Sequence, residues 1–152
     1  VVGDLLRRMG ASDALADDIA QEALVRALTS LAAYRGEAAF ATWTARIAAR
    51  LYIKRHRKEA RYELMAEPVD PQVAAPADRA DQRLDLDRAL SRLSAPERLC
   101  VSLCHGAGLT QEEIAAQLQV PLGTVKSHVT RGLKKLRALL APADPKDEAR
   151  TR

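Results

Sequence analysis

Apolar residues recur along this chain at spacings of three and four positions, the period of an amphipathic helix. The clearest example follows Ser12, where one predicted buried face comprises Leu15, Ile19, Ala23, Leu24, Ala27, Leu28 and Leu31. The opposite, exposed face carries Asp17, Asp18, Gln21 and Glu22. No stretch shows the sustained alternation of apolar and polar residues that predicts a strand. The pattern therefore predicts an all-α protein.

Capping signals place the boundaries of further helices. Ser12 has the position of an N-cap, and two pairs have the spacing of capping boxes: Ser94 with Glu97, and Thr110 with Glu113. A third helix is predicted from about residue 42 to residue 62. A tight turn over residues 120–123 precedes a final helix that ends near residue 140.

Proline marks the boundary between two halves. Three of the seven prolines, Pro68, Pro71 and Pro76, lie within residues 63–80. Proline lacks the amide hydrogen that a helix needs, so this range is predicted to be a semi-flexible linker. The sequence thus predicts two small helical domains, over residues 1–62 and 81–141, followed by a tail over residues 142–152.

Positive charge is concentrated in two segments. The whole chain has 24 basic and 20 acidic side chains, a net charge of +4. Residues 42–61 contain seven basic side chains and one acidic one, and residues 114–143 contain five basic ones and no acid. Two such patches on opposite sides of a linker favour two contacts with a polyanion over two merely solvated helix faces.

The segment from residue 110 to residue 140 has the form of a helix-turn-helix, with a short capped helix, a tight turn and a longer basic helix. Apolar residues of the second helix form a stripe that predicts packing inwards. The other faces carry the candidate contacts to duplex DNA: Thr124, Lys126, Ser127, His128, Arg131 and Lys135. A plain helical hairpin with a basic outer face is the alternative.

The third predicted helix carries a row of basic side chains on one face, formed by Arg46, Arg50, Lys54, Arg57 and Arg61 at spacings of three and four. Like charges at this spacing repel unless a polyanion is near. The aromatic residues Phe40, Trp43 and Tyr52 lie beside or within the same stretch, and aromatic rings can stack on unpaired bases. Core packing is the alternative for Phe40 and Trp43.

The sequence gives little indication of a metal site, a cofactor or catalysis. Cys100, Cys104 and His105 could approach one metal ion, but no fourth ligand is apparent nearby and ordinary helix packing is the favoured explanation, so we expect no metal or cofactor. Two cysteines favour a reducing compartment. No phosphate-binding loop, nucleophile elbow or pair of catalytic carboxylates is present, so no enzyme is predicted. No apolar run reaches the roughly 20 residues of a membrane span.

Two blocks of residues together resemble bacterial extracytoplasmic-function sigma factors, the group IV members of the sigma-70 family. The first comprises residues 16–28 (ADDIAQEALVRAL), 34–43 (YRGEAAFATW) and 46–48 (RIA). The second comprises residues 108–115 (GLTQEEIA) and 120–127 (VPLGTVKS). With the intervening helix, the resemblance covers about two-thirds of the chain.

The resemblance implies a different function for each of the two domains. The N-terminal domain would be sigma region 2, in which Asp17, Asp18, Gln21 and Glu22 dock on the clamp coiled coil of core RNA polymerase. The residues implied for the melted −10 element are Tyr34, Arg35, Phe40, Trp43, Arg46, Arg50, Lys54 and Arg57. The C-terminal domain would be region 4, which reads the −35 element through the DNA face of its last helix and also contacts the polymerase flap.

Some positions depart from the family pattern. Arg50 and Lys54 stand where the family often has Asn and Asp, and His128 stands where Arg is common. The chain begins with Val1, and the first family helix is expected to start about twenty residues earlier. The resemblance also implies a cytoplasmic protein inhibited by an anti-sigma factor, which can itself be bound to the inner membrane. A sigma-like mimic that only titrates an anti-sigma factor is the alternative function.

Overall fold

The computed structural model describes residues 1–66 and 82–141, and every regular element within these ranges is helical. The first half contains α1 (Val2–Arg8), α2 (Asp13–Thr29), a 3₁₀ turn (Leu31–Ala33) and α3 (Phe40–Met65). The second half contains α4 (Gln82–Ser91), α5 (Ala95–Val101), a π-helical turn (Ser102–Gly106), α6 (Gln111–Leu118) and α7 (Leu122–Leu140). The predicted all-α class is confirmed.

The helix starts follow the predicted capping chemistry. The Ser12 hydroxyl accepts a hydrogen bond from the amide of Leu15 at the start of α2. Ser94 and Glu97 form a complete capping box at α5, and Thr110 and Glu113 form another at α6. These bonds satisfy amides that have no partner inside the helix, which explains why each helix begins where it does.

The turn between α6 and α7 is tighter than the sequence indicates. Gln119 adopts a left-handed conformation with φ of 57° and ends α6. Pro121 then serves as the N-cap of α7, so the helix begins at Leu122 and includes Gly123. Only Gln119 to Pro121 separate the two helices, as a helix-turn-helix requires.

Helix α3 is longer than predicted and continues to Met65, three residues into the range assigned to the linker. The extension is explained by packing, because Leu64 is 2% exposed and belongs to the core. A local kink lies at His56, whose backbone is not helical. There the His56 Nδ1–H donates to the carbonyl of Tyr52, and the two rings stack at 4.5 Å. Residues 67–80 of the predicted linker and the tail from residue 142 lie outside the described residues.

The two halves share one hydrophobic core. It is formed by α1, α2 and α3 together with α5, the π-helical turn, α6 and α7. Ile19, Leu103, Ile114 and Leu118 are all fully buried within it. A second, smaller cluster joins Leu90 and Leu93 to the end of α7. The halves that the sequence predicts as two domains therefore pack directly on each other.

The predicted buried face of α2 is partly wrong. Leu24, Leu28 and Leu31 were expected on the buried face of α2, but they are 48%, 58% and 50% exposed. Helix α2 packs against α1 and α3, and those neighbours cover the stripe of Ile19, Ala23 and Ala27. The three leucines point away from that stripe, and no helix within the described residues buries them. Within the described ranges, no helix combines the length and apolar character that crossing a membrane demands.

Candidate nucleic-acid interface

The exposed face of α7 presents part of the predicted duplex-DNA surface. Lys126 and Ser127 are exposed in its first two turns, and Thr124 is half-buried beside them. Lys126, Ser127, Thr130 and Arg131 line a shallow depression on this face. Thr130 was not singled out from the sequence, although its spacing of three from Ser127 places it on the same face. A helix N-terminus with hydroxyl and basic side chains is suited to contact base edges and phosphates in a major groove.

His128 was expected on this exposed surface, but the structure places it in the interior, with 3% exposed. Its Nε2–H donates to the carbonyl of Leu64 at 2.9 Å. Arg131 donates to the other ring nitrogen at 3.1 Å. The imidazole thus connects α7 to the end of α3. The sequence could not reveal this contact, because it depends on how the halves pack.

Lys135 is also engaged within the protein. Its ammonium lies 3.1 Å from both carboxylate oxygens of Glu97, a buried residue of α5. The expected role of Lys135 as a DNA contact is therefore not supported in this conformation, since its charge already compensates a buried carboxylate. Lys134 and Arg137 remain exposed on the same helix and extend the positive surface.

The first two members of the basic row of α3 form ion pairs with another helix, and the later members lie further along α3. Arg46 and Arg50 both donate to the carboxylate of Glu113 on α6, at 3.0 and 3.4 Å. Lys54 is exposed and Arg57 is half-buried further along the helix. The Thr110 amide donates to the same Glu113 carboxylate, and with the two arginines it lowers the pKa of Glu113 below its ordinary value. The carboxylate is thereby held in its charged form.

Three aromatic rings form a cluster at the start of α3. Tyr34 lies 5.2 Å from Trp43 and 5.6 Å from Phe40, and Phe40 lies 5.8 Å from Trp43 between ring centres. The Tyr34 hydroxyl donates to the carbonyl of Ala38 at 2.6 Å and closes the loop that contains exposed Arg35. Trp43 is half-buried and Phe40 is 36% exposed, so both have ring surface open to solvent. The cluster can offer stacking surface for unpaired bases.

Tyr52, another aromatic residue near the basic row, belongs to the core. It is 8% exposed, and its hydroxyl donates to the carbonyl of Met9 at 3.4 Å. Burial raises the pKa of this phenol. Tyr52 is therefore a core residue, whereas the cluster of Tyr34, Phe40 and Trp43 lies at the surface.

The predicted acidic face of α2 is exposed but partly paired. Asp18 and Glu22 both accept from Arg55 of α3, and Asp17 accepts from Arg7 of α1 at 3.1 Å. Gln21 is exposed beside them. The exposed side chains of Leu24, Val25, Leu28 and Leu31 continue this face towards the loop. The sequence pattern assigned all three leucines to the core and gave no sign of this apolar part of the surface.

Family models match both halves of the chain. Sigma-70 region 2 matches residues 2–62, and Sigma-70 region 4 matches residues 89–138. The ECF RNA polymerase sigma-E factor of Escherichia coli is 33% identical over 129 residues, covering 75% of this chain and 68% of that protein. SigW of Bacillus subtilis is 35% identical over 141 residues, covering 82% of this chain and 75% of that protein. The chain belongs to the ECF sigma factors.

Other relatives differ in length or are similar in fold alone. The ECF sigma factor SigE of Mycolicibacterium smegmatis is 35% identical over 145 residues, and this chain spans 56% of its length. A solved structure of the sigma factor RpoE with the anti-sigma factor NepR from Bartonella quintana matches at a TM-score of 0.53. That likeness covers 94% of this chain and 91% of the other at 23% identity, which supports the fold.

The family match relates each half of this ECF sigma factor to one sigma region. Region 2 corresponds to α1 to α3, which carry the acidic face, the aromatic cluster and the basic row. Region 4 corresponds to the end of α4 through α7 and contains the helix-turn-helix. The surfaces described above thus lie in the two regions that define the family.

The cysteines of this ECF sigma factor lie away from these surfaces. Cys100 is fully buried in the core, and burial raises its pKa to about 12. Cys104 is half-buried, and its pKa is also raised, by burial and by the nearby charge of Glu112. Among the residues that the structure describes, no group of three or more His, Cys, Asp or Glu side chains is arranged to hold a metal ion.

Proposed function

We propose that this chain is an alternative sigma factor, which binds core RNA polymerase and directs transcription from specific promoters. The supporting observation is that sigma-70 regions 2 and 4 occur together and in order, each with a basic surface. No catalytic role is proposed, since the family acts by binding DNA and polymerase. We assign residues 1–62 to region 2, residues 63–80 to the linker, 81–141 to region 4 and 142–152 to the tail.

Duplex recognition is assigned to α7. Lys126, Ser127 and Arg131 line its accessible face and have the hydroxyl and basic groups that contact base edges and phosphates. Thr124 lies next to them at the helix start. His128 and Lys135 can join the −35 contact only after they leave their partners Leu64 and Glu97.

Strand opening is assigned to region 2. The ring surfaces of Tyr34, Phe40 and Trp43 can stack on bases that leave the duplex, and Arg35 lies exposed on the loop beside them. The basic row of α3 then supplies positive charge along the separated strand. Single-strand contacts in one region and duplex contacts in the other are what promoter melting demands.

Polymerase binding is assigned to α2. Its acidic residues Asp17, Asp18 and Glu22 suit a basic partner, and the exposed Leu24 and Leu28 add apolar area beside them. Mixed surfaces with an apolar centre and a charged rim are typical of protein interfaces. The partner would be the clamp coiled coil, with a second polymerase contact between region 4 and the flap.

Regulation by an anti-sigma factor is part of the proposal. An inhibitor that covers α2 and the basic surfaces would block polymerase and DNA together. A protein that works with polymerase and promoter DNA would act in the cytoplasm, and a membrane-bound inhibitor would hold it at the inner membrane until release.

Run-off transcription tests the function directly. Purified bacterial core RNA polymerase is supplied with the full chain and a promoter library, and promoter-dependent transcripts are expected. Trp43→Ala should reduce the transcripts at least tenfold, because the ring is assigned to the opened strand. Tyr62→Ala is the matched control, since Tyr62 is 79% exposed on the same helix but lies outside the aromatic cluster.

The same assay distinguishes the sigma factor function from the alternative function. A mimic that only titrates an anti-sigma factor would need no DNA contacts. Arg46, Arg50 and His128 are paired within the protein, and this observation favours the mimic as the second candidate. Core binding without transcripts would support the mimic. Failure to bind core polymerase at all would contradict the sigma factor proposal.

A further inference from the structure

A partly open cavity of about 280 Å³ lies where α1 meets α4 and α5. Small-molecule sites in proteins are usually clefts of about 300–1,000 Å³, so this cavity has the size of a site for a small ligand. Its lining contains none of the residues assigned to DNA or to polymerase. The lining residues that carry a charge or a hydroxyl group are Asp4, Arg7, Arg8, Asp87, Ser91 and Arg98.

Two of the three arginines at the cavity already pair with carboxylates. Arg7 donates to Asp13 at 2.6 Å and to Asp17 at 3.1 Å, so its guanidinium is used within the protein. Arg8 donates to Asp87 at 2.7 Å through Nε alone. None of the described residues accepts a hydrogen bond from the two terminal amino groups of Arg8, so that end of its guanidinium is available to a ligand.

Arg98 has no carboxylate partner among the described residues. It is half-buried, and its Nε is buried without a hydrogen-bond acceptor. Burial of an unpaired guanidinium donor costs free energy, and a bound anion would remove that cost. In the described part of the chain, the other arginines with a buried, unpaired Nε are all assigned to DNA: Arg46, Arg57 and Arg131. Arg98 shares this property with arginines assigned to a phosphate polymer, but it lies at a cavity of small-molecule size.

We propose that this cavity binds a small phosphate ester, with Arg98 and the terminal amino groups of Arg8 holding the phosphate. Guanidinium groups bind phosphate through paired, charge-assisted hydrogen bonds. The hydroxyl of Ser91 donates to the carbonyl of Arg88 at 2.7 Å, and its oxygen can still accept from a ligand hydroxyl. Leu90 adds an apolar wall for a carbon skeleton. A hydroxyl-bearing ester such as a sugar phosphate therefore matches the lining better than a free anion.

Asp87 competes with the ligand for Arg8. Its carboxylate accepts from Arg8 and lines the same cavity, so a bound phosphate meets a like charge there. Removal of that charge should strengthen phosphate binding, whereas loss of the Arg98 charge should weaken it. The two residues thus predict effects of opposite sign, and a variant that simply fails to fold would not tighten binding.

Isothermal titration calorimetry of the full chain at low salt, with ribose 5-phosphate as the probe, tests the site. We expect saturable binding of one molecule per chain. Arg98→Gln should weaken it at least tenfold, the loss expected when a charge-assisted hydrogen bond is removed. Arg26→Gln is the matched control, because Arg26 is an exposed arginine of α2 outside the cavity, and it should leave the affinity unchanged. No saturable binding to the unmodified chain, or equal weakening by both variants, would overturn the proposal.

Asp87→Asn tests the opposite sign. We expect it to bind ribose 5-phosphate at least threefold more tightly than the unmodified chain, because the like charge is lost and Arg8 is released. Glu112→Gln removes the same charge from an exposed position of α6 and should leave the affinity unchanged. Unchanged or weaker binding by Asp87→Asn, in a variant with the melting temperature of the unmodified chain, would contradict the assigned position of the phosphate.

Two further probes identify which part of the ligand is recognised. Ribose should not bind, and inorganic phosphate should bind more weakly than ribose 5-phosphate. Equal affinity for ribose would refute the phosphate contact, and equal affinity for inorganic phosphate would refute the assignment to an ester. These titrations contain neither DNA nor polymerase, so their outcome is independent of the proposed sigma factor function.

Discussion

At the scale of single residues, two glycines of α7 lie in opposite surroundings. A Cβ at Gly132 would lie 2.7 Å from Cγ2 of Val101 and 3.5 Å from the Glu97 side chain, so α5 and α7 approach each other there without room for a methyl group. A Cβ at Gly123 would meet nothing within 4 Å. Both residues are helical. The pair therefore separates the effect of packing from that of helix propensity.

We expect Gly132→Ala to lower the free energy of unfolding by about 1–2 kcal/mol, because overpacking costs about 1–3 kcal/mol and helix propensity returns up to about 1 kcal/mol. Gly123→Ala should leave it unchanged or raise it slightly. Urea denaturation followed by circular dichroism gives both values. Equal stability of the two variants would mean that α5 and α7 do not pack this closely.

The two thiols should also differ in their reactivity. The pKa of Cys100 is raised to about 12 by burial, so its thiol stays protonated at pH 8, and the side chain is fully buried as well. We expect Cys100 to react with Ellman's reagent only after unfolding in guanidinium chloride. Cys104 is half-buried and should react first, and Cys104→Ser should remove that native-state reaction. Rapid labelling of Cys100 in the folded Cys104→Ser variant would contradict the buried position.

At the scale of elements, the faces of α3 make different contacts, and the sequence of the helix alone does not show which face makes which. One side packs into the core through Ala48, Tyr52 and Ile53, and another holds Asp18 and Glu22 of α2 through Arg55. The basic row occupies what remains. Its first two members are paired with Glu113, and Lys54 and Arg61 are exposed further along the helix.

We expect Lys54→Gln to weaken DNA binding and to reduce the slope of log affinity against log salt by about 1, as loss of one phosphate contact does. Titrating a DNA duplex of mixed sequence with the protein at several salt concentrations measures the slope. Arg26→Gln removes the same charge from α2, outside the predicted DNA surfaces, and should leave the slope unchanged. The same slope for both variants and the unmodified chain would exclude Lys54 from the DNA interface.

At the scale of the whole molecule, the shared core predicts that the halves unfold together. Ile19 lies in the first half and Ile114 in the second, and both are fully buried in the same cluster. Trp43 is the only tryptophan and reports on the first half, while circular dichroism reports on helices throughout. Two probes can therefore be compared on one transition.

We expect Ile114→Ala to cost about 2–5 kcal/mol, as removal of a buried branched side chain does, and to shift the Trp43 fluorescence and circular dichroism transitions equally. Ile19→Ala, in the other half, should have a similar cost and should also shift both transitions equally. Thermal and urea unfolding with both probes measure the shifts. A Trp43 transition that stays in place when Ile114→Ala shifts the circular dichroism would show that the halves unfold independently.

The sequence by itself determined the local structure and the family. Helical periodicity, the Ser12 cap and the two capping boxes involve residues within one helical turn of each other, so their chemistry is readable from spacing. The motifs of regions 2 and 4 are likewise short and contiguous, and the comparisons confirm the family that they indicate.

Only the tertiary structure decided which side chains are exposed and which are paired. Leu24, Leu28 and Leu31 follow a helical period, yet none of the described residues buries them on that side of α2. The sequence predicts His128, Lys135 and Arg46 as DNA contacts, and the structure pairs them with Leu64, Glu97 and Glu113, which are distant in sequence. The physical reason is that burial and ion pairing depend on contacts across tens of residues, which spacing along one helix does not encode.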